Sequence, residues 1–363
     1  MAVIFAVSAA FGNIDLSGSF RNDAYALGTT NKTSFNDIAE TKLIFSHKTD
    51  EWRFYADLRV DLLYGEAANY ALVLNLPPEV TNAGLPQAFS TNVLLNYNLN
   101  LIRAFLRYTS SIGEWTLGKT YVNFGNYGIF NPFEISKSVN FSDLNYDKDG
   151  ILAMEYDFSF GDLSGGKAYV SPSGDFTNSA YGGSIYANIA KFDIGAVANR
   201  KAANTNLAGV YFKGDLLAGL NASYAYHFDD SGTNRYDEAG AGIDYSFLDG
   251  KLFTGLTFYY DGNGAGRTND YNFLITADRY FVAKYYLYAN AIYAYDEFLN
   301  FQLNTFVNCI DWSMLFIPLV QYTISDGLDL TGEFVIPAGS ANQEFSKDRL
   351  LEYVALFRVE AKF

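Results

Sequence analysis

Trp52-Arg-Phe-Tyr-Ala-Asp-Leu-Arg-Val-Asp-Leu62 alternates without a break. Arg53, Tyr55, Asp57, Arg59 and Asp61 fall on one side of an extended chain, and Phe54, Ala56, Leu58, Val60 and Leu62 on the other. Successive side chains of a strand point to opposite faces, so this segment is a strand with one polar and one apolar face. In a soluble sandwich the apolar face packs on a second sheet. In a membrane barrel it meets lipid while the polar face meets water. One strand does not separate the two.

Repetition does. Ala239, Ala241, Ile243, Tyr245 and Phe247 alternate with Glu238, Gly240, Gly242, Asp244 and Ser246. Ala218 to His227 and Leu328 to Ile336 repeat the pattern, with aromatics toward the ends of the apolar face. The connections fall into two classes. Thr49-Asp50-Glu51, Lys213-Gly214-Asp215, Leu248-Asp249-Gly250 and Ser325-Asp326-Gly327 suit hairpin turns, whereas 65–98, 123–149, 228–236, 261–281 and 337–350 read as longer polar loops. Segregated loop lengths are the pattern of a transmembrane antiparallel up-and-down β-barrel, and a sandwich has no reason for them. With both termini on one side the strand number is even: 18, or 16 if Tyr271–Arg279 is loop rather than strand. Either number leaves an aqueous lumen.

Composition agrees. The chain of 363 residues carries 29 Tyr, 31 Phe and 31 Gly but only 7 Pro. Amphipathic rings suit the two membrane–water interfaces. Mean hydropathy is near zero, and no uncharged apolar stretch reaches the roughly 18 residues a spanning helix needs. The net charge of -15 argues against a nucleic-acid partner and against docking on an anionic lipid surface. A single cysteine, Cys309, excludes an internal disulfide framework and a thiolate metal cluster. Residues 1–12 form a short apolar run ending in small residues, read as a signal-peptide remnant without a basic start, or else as a first strand or tail. Residues 13–363 are expected to form a single barrel.

The last strand places Tyr353, Ala355, Phe357, Val359, Ala361 and Phe363 on one face and Arg358, Glu360 and Lys362 on the other. In size, loop alternation and terminus the chain resembles the general or substrate-selective porins of didermic bacteria. The resemblance is architectural and weak in identity motifs. It implies an outer-membrane barrel with long extracellular loops and short periplasmic turns, surrounded by lipid and lipopolysaccharide. It also implies passive diffusion of small hydrophilic solutes or ions, and a homotrimer. Tyr353, Phe357, Val359 and Phe363 resemble the C-terminal signal read by the barrel-assembly machinery. A structural or surface-binding barrel with a plugged lumen is the alternative. No cofactor or metal is implied.

In trimeric porins the third extracellular loop folds inward and narrows the pore. Here the loop after the fifth strand, 123–149, contains Asn131-Pro-Phe-Glu-Ile135, a loose match to the Pro-Glu-Phe order of that loop. The 65–98 loop, with Pro77, Pro78 and Pro86, is the rival constriction or a latch between subunits. Alternation puts Lys42, Arg53, Arg59, Arg103 and Arg107 on the inner face of strands two to four, and Asp57 and Asp61 among them. Glu155, Asp157, Asp193, Glu238, Asp244, Asp329 and Glu333 face inward on later strands. With Glu134 and Asp143 on the candidate inward loop, a basic ladder opposed by carboxylates would order water and sort solutes by charge. The other reading is that these charges pair along the wall and keep the lumen wet. Tyr55 and Phe105 are inward aromatic candidates for stacking on sugar rings. Lys119 falls on the apolar face of Trp115 and Leu117, so either a bulge at Gly118 turns it inward or it snorkels. The two histidines, His47 and His227, lie on distant strands with no partner evident in sequence, and no enzymatic activity is expected. Asp147–Gly150 and Asp261–Gly264 resemble fragments of calcium loops but lack the remaining ligands.

Overall fold

The alternating segments pair edge to edge until no edge is left. The computed structural model describes residues 14–29, 32–66, 93–125, 129–135, 149–174, 178–201, 205–273, 281–347 and 352–363. The first strands are long: β1 Asp15–Thr29, β2 Lys32–Lys48, β3 Trp52–Glu66 and β4 Val93–Ser110. Then come β5 Gly113–Thr120, β6 Ile151–Gly161, β7 Ser164–Ser171, β8 Ala180–Ile189, β9 Phe192–Lys201 and β10 Thr205–Asp215. The wall continues through β11 Gly219–Asp229, β12 Arg235–Phe247, β13 Leu252–Asp261, β14 Tyr285–Ala294 and β15 Leu299–Asn308. It ends with β16 Met314–Ser325, β17 Leu328–Ala338 and β18 Tyr353–Lys362. Each strand pairs antiparallel with its chain neighbours, and β18 returns to β1, giving a closed 18-stranded up-and-down barrel. Closure satisfies every wall strand on both sides, which is what allows a sheet to stand in hydrocarbon.

Register fixes the faces. Asp23↔Arg358, Arg21↔Glu360 and Ser19↔Lys362 place the polar residues of β1 and β18 on one side, and Gly28↔Tyr353 and Ala24↔Phe357 on the other. Outward residues such as Leu117, Ile185, Leu256, Phe334 and Phe357 are exposed, as a lipid-facing surface requires. At the β1–β18 seam Phe363 and Gly18 exchange backbone hydrogen bonds of 3.0 and 2.9 Å. At its other end the Tyr353 ring lies across Gly28, where an added Cβ would run into the ring. The outward aromatic face of the last strand therefore also pins the closure.

One rim carries only short turns, among them 49–51, 111–112, 162–163, 216–218, 248–251 and 326–327. The other carries 67–92, 121–150, 172–179, 262–284 and 339–352. The strands reach further into the long loops than their polarity suggests. β4 begins at Val93, not after 98, because Asn96, Asn98 and Asn100 keep register with Leu63, Asp61 and Arg59. Lys213-Gly-Asp215 is strand rather than turn: Lys213 pairs with Asn221 and Asp215 with Gly219, and Leu216–Ala218 make the bend. Gly-Asp is turn chemistry locally, but the ladder continues wherever both backbones can still pair. Tyr271–Phe273 are outside any strand, and the tally of 18 stands without them. Residues 1–12 and Pro77, Pro78 and Pro86 lie outside the described residues, as does Asp143.

Lys119 is explained by a bulge on the neighbouring strand rather than at Gly118. Between Asp57↔Arg103 and Leu58↔Leu101 the register of β3 and β4 skips Ile102. The Lys119 ammonium donates to the Leu101 carbonyl at 2.6 Å, and the Gly150 N–H donates to the Ile102 carbonyl at 3.0 Å. Lys119 itself keeps register with Ala104 and Leu152 on the outer face. The bulge thus gives the lysine an acceptor and pins the chain where it returns from 121–150.

Candidate functional site

The inner faces of β3, β4 and β5 carry a stack of alternating charge and aromatic ring. Arg53 stands opposite Arg107, Tyr55 opposite Phe105, and Asp57 opposite Arg103. Two guanidinium groups in direct register would repel, yet each lies against an aromatic ring of the next level. Tyr55 and Phe105 stack with centroids 5.3 Å apart. The Arg103 and Arg53 guanidinium carbons lie 5.1 and 5.8 Å from the Tyr55 centroid, and that of Arg107 lies 5.3 Å from the Phe105 centroid. Each ring face offers negative potential to a cation. Arg103 also donates to the Tyr55 hydroxyl and to Asp57, both at 3.1 Å. Asp57 is fully buried and takes Lys42 at 3.5 Å as well. Arg107 is held by Glu114 at 3.1 Å and by the Thr116 hydroxyl. Arg53 makes no ion pair among the described residues.

Toward the long-loop rim the stack runs into a second network. Arg59 meets Asp61 at 3.3 Å and Glu40 at 3.7 Å. Glu40 also takes Arg21 at 3.0 Å, and Asp23 is gripped by Arg358 with contacts of 2.7 and 2.9 Å. Glu155 and Asp157 do not belong to the ladder: Lys167 holds them at 3.1 and 3.4 Å on β6 and β7. The carboxylates that touch the ladder therefore stand on its own or adjacent strands. Arg21, Asp23 and Glu40 are not singled out from sequence, although alternation places them inward, and Arg358 is read there only as part of the polar face of the last strand.

The described parts of 121–150 lie against the opposite inner wall. Val122, Phe124 and Phe133 pack on Ala153, Tyr169, Ala180, Val197, Leu207 and Ala225, inward residues of β6 to β11. Phe133 is wholly buried and 6.0 Å from the Tyr211 ring, and it approaches β10 where Gly209 has no side chain: a Cβ there would stand 2.5 Å from the Phe133 ring. Further round, Phe130 stacks flat on Tyr259 of β13 at 4.4 Å and meets Phe281, Tyr288 and Phe306 edge-on. The turn between these anchors is set locally. Asn131 bonds Asn123 and the Phe124 carbonyl and accepts from the Phe133 N–H. Glu134, 1% exposed, accepts from the Tyr121 hydroxyl. It is a buried fastening within the segment rather than a carboxylate beside the arginines.

Loops of the same rim also pack on the inner faces of β13 to β17. Phe281, Ala283 and Phe345 join Tyr286, Phe306, Leu315, Ile317 and Val335 in one apolar cluster. At its edge Glu344 accepts from the Val282 N–H at 2.9 Å, the Tyr286 hydroxyl at 2.6 Å and Asn308 at 2.8 Å, while its own N–H donates to Asp311. Burial pushes the Glu344 carboxyl up to about 7, with Asp311 adding to the rise and the three hydrogen bonds opposing it. Nothing in the sequence marks Glu344, since its partners come from two strands, β14 and β15, and from two other connections. His227 likewise has a partner that sequence did not reveal: it lies 3.0 Å from Glu238, which also accepts from Tyr259 at 2.8 Å. Among the described residues no cluster of metal-ligating side chains is assembled.

No protein-family model matches the chain, and no curated protein matches it. Solved structures do. Pseudomonas aeruginosa OccK5 (OpdH) superposes with a TM-score of 0.61 at 10% identity, covering 96% of this chain and 98% of that one. Acinetobacter baumannii OccAB2 gives 0.62 at 11% identity, covering 97% and 98%. P. aeruginosa OccK2 (OpdF), solved in complex with glucuronate, gives 0.62 at 8% identity, covering 97% and 98%. At such identities the likeness is one of fold.

Proposed function

We propose that the chain is an outer-membrane porin, a passive diffusion channel for small hydrophilic solutes or ions. One observation carries this reading: an 18-stranded closed barrel whose inner face is polar and charged and whose outer face is exposed and apolar. A barrel of this strand number leaves a lumen unless loops fill it, and the OccK proteins it resembles in fold are themselves outer-membrane porins. Only solute passage is asked of the wall residues, with no bond-making chemistry.

Selection rests on the ladder Arg53, Arg103 and Arg107, with Lys42 and Arg59, against Asp57, Asp61 and Glu114. The partners sit beside the cations, so wall pairing and solute selection act together. Paired arginines still have N–H groups directed at the lumen, and Arg53 is the least neutralised. We take the loop 123–149 as the constriction, its described part 129–135 anchored on the inner wall by Phe130, Phe133 and Glu134. Asp143, in the same loop, is proposed as a carboxylate at that narrowing. Glu155 and Asp157 line the lumen beyond it. Tyr353, Phe357, Val359 and Phe363 serve as the insertion signal for the barrel-assembly machinery. A homotrimer and lipopolysaccharide contacts are proposed on resemblance alone. The test is single-channel recording of the refolded protein in planar bilayers. Stepwise current with defined conductance is expected, and a barrel that inserts but never conducts would favour the plugged, surface-binding alternative.

A further inference from the structure

The ladder is not the only accessible polar surface inside the barrel. Beneath Asn123–Gly125, toward the short-turn rim, lies a chamber of about 440 Å³ between β4 and β8. Glu114, Asp157, Ser159, Lys167, Ser184 and Tyr186 are among its lining residues, with Tyr211 beside them. Its volume falls within the roughly 300–1,000 Å³ of small-molecule sites.

Its chemistry is distinctive. Glu114 and Asp157 stand directly opposite each other on β5 and β6, and Lys167 stands opposite Asp157 on β7. Each carboxylate is already matched, Glu114 by Arg107 at 3.1 Å and Asp157 by Lys167 at 3.4 Å. Lys167 also serves Glu155 at 3.1 Å, so the chamber keeps a slight negative excess that turns anions away, while most of its charge is compensated. Hydrogen-bonding capacity remains, because a carboxylate has about four acceptor sites and an ammonium three donors. The side chains of Glu114, Asp157 and Lys167 are each about a third exposed, so these sites open on the chamber. Ser159 and Ser184 add groups that both donate and accept. Tyr186, 37% exposed on the inner face of β8, supplies a ring face with a hydroxyl at its edge. Largely compensated charges, many two-way hydrogen-bonding groups and an accessible aromatic face suit a neutral solute with hydroxyls on its rim and C–H groups on its faces.

We infer that this chamber is a binding subsite for neutral polyhydroxylated ring solutes, a sugar-class ligand, adjoining the arginine stack at Glu114. The inference rests on the channel reading for its access route. Sucrose is the probe, and a polyethylene glycol of similar size is the control. In planar bilayers sucrose should produce a saturable block with half-effect in the millimolar range, while the glycol lowers current in proportion to concentration. Tyr186→Ala should weaken the sucrose block about tenfold, as expected for a lost stacking partner. Asp157→Asn should weaken it too, and Asn290→Ala, on the far wall, should not. Saturation-transfer NMR of sucrose with the refolded barrel in micelles reads binding without requiring current. Steps of current with no saturable block and no transfer would overturn the subsite and leave the channel intact. Transfer that is lost in Tyr186→Ala, in a protein that does not conduct, would retain the subsite and reject the channel. Transfer unchanged in both Tyr186→Ala and Asp157→Asn would place binding elsewhere and overturn the assignment.

Discussion

Replacing Phe130 with alanine should unfasten the constriction while leaving the barrel closed. Phe130 is 1% exposed, lies parallel to Tyr259 at 4.4 Å and touches three further rings. Truncating a buried phenylalanine costs about 3–5 kcal/mol. None of the strand pairing involves Phe130, which lies between β5 and β6, so the loss falls on the docking of 129–135 rather than on the wall. At about 1.4 kcal/mol per decade, the docked-to-undocked ratio drops by roughly two to three and a half decades. Phe133 retains the second anchor over Gly209, so the segment should fluctuate rather than leave. Single-channel recording should show a higher mean conductance and slow excess noise, with heat-modifiable gel mobility unchanged. Conductance and noise identical to wild type, in Phe130→Ala and in the Phe130→Ala/Phe133→Ala double variant alike, would show that this segment does not narrow the pore.

The remaining predictions concern charge, pH and closure. Arg103→Ala combined with Arg107→Ala should move the reversal potential in a salt gradient toward cation selectivity, since Asp57 and Glu114 lose their nearest partners; an unmoved potential would return both arginines to wall structure. The raised pKa of Glu344 means that its docked state prefers the protonated carboxyl. Its stabilisation of the loop cluster is fully present below the ordinary value of 4.5 and is lost as pH rises through about 7. Hydrogen exchange at 339–347 should therefore quicken between pH 5 and pH 8, beyond the intrinsic rise, and Glu344→Gln should remove that excess. A Glu344→Gln profile matching wild type would point to another group. Gly28→Leu would force a side chain into the Tyr353 ring at the β1–β18 seam, costing about 1–3 kcal/mol if the wall can yield. The temperature at which the barrel band converts to the unfolded band should fall, whereas Gly332→Leu, where an added Cβ meets open space, serves as the matched control.

Strand type, strand number and facing were legible in the chain because each follows from a period of two and from where that period is interrupted. Arg53, Asp57, Arg59, Asp61, Arg103 and Arg107 were placed on the inner face by counting alone, and Tyr55 and Phe105 with them. Skipping Ile102 reverses the parity of β4, so that Arg103, Phe105 and Arg107 face inward at odd positions and Asn98 and Asn100 at even ones; counting placed the arginines correctly because both lie on the same side of the bulge. Loop ends were less legible. Asparagines at the top of β4 and Gly-Asp at the end of β10 carry turn chemistry, yet the ladder runs through both.

What the sequence could not supply is which groups meet across the lumen and above it. Alternation tells which way a side chain points but not how far round the barrel its partner stands. Lys167 rather than the arginine ladder holds Glu155 and Asp157, and Glu238 rather than solvent meets His227. Phe130, on a segment that leaves the wall after β5, reaches Tyr259 of β13, and Glu344 gathers donors from β14, from β15 and from the 262–284 connection. Local periodicity in the chain fixed the wall. The contents of the lumen were decided by tertiary packing, because loops that depart from the ladder are placed only by the surfaces they cover.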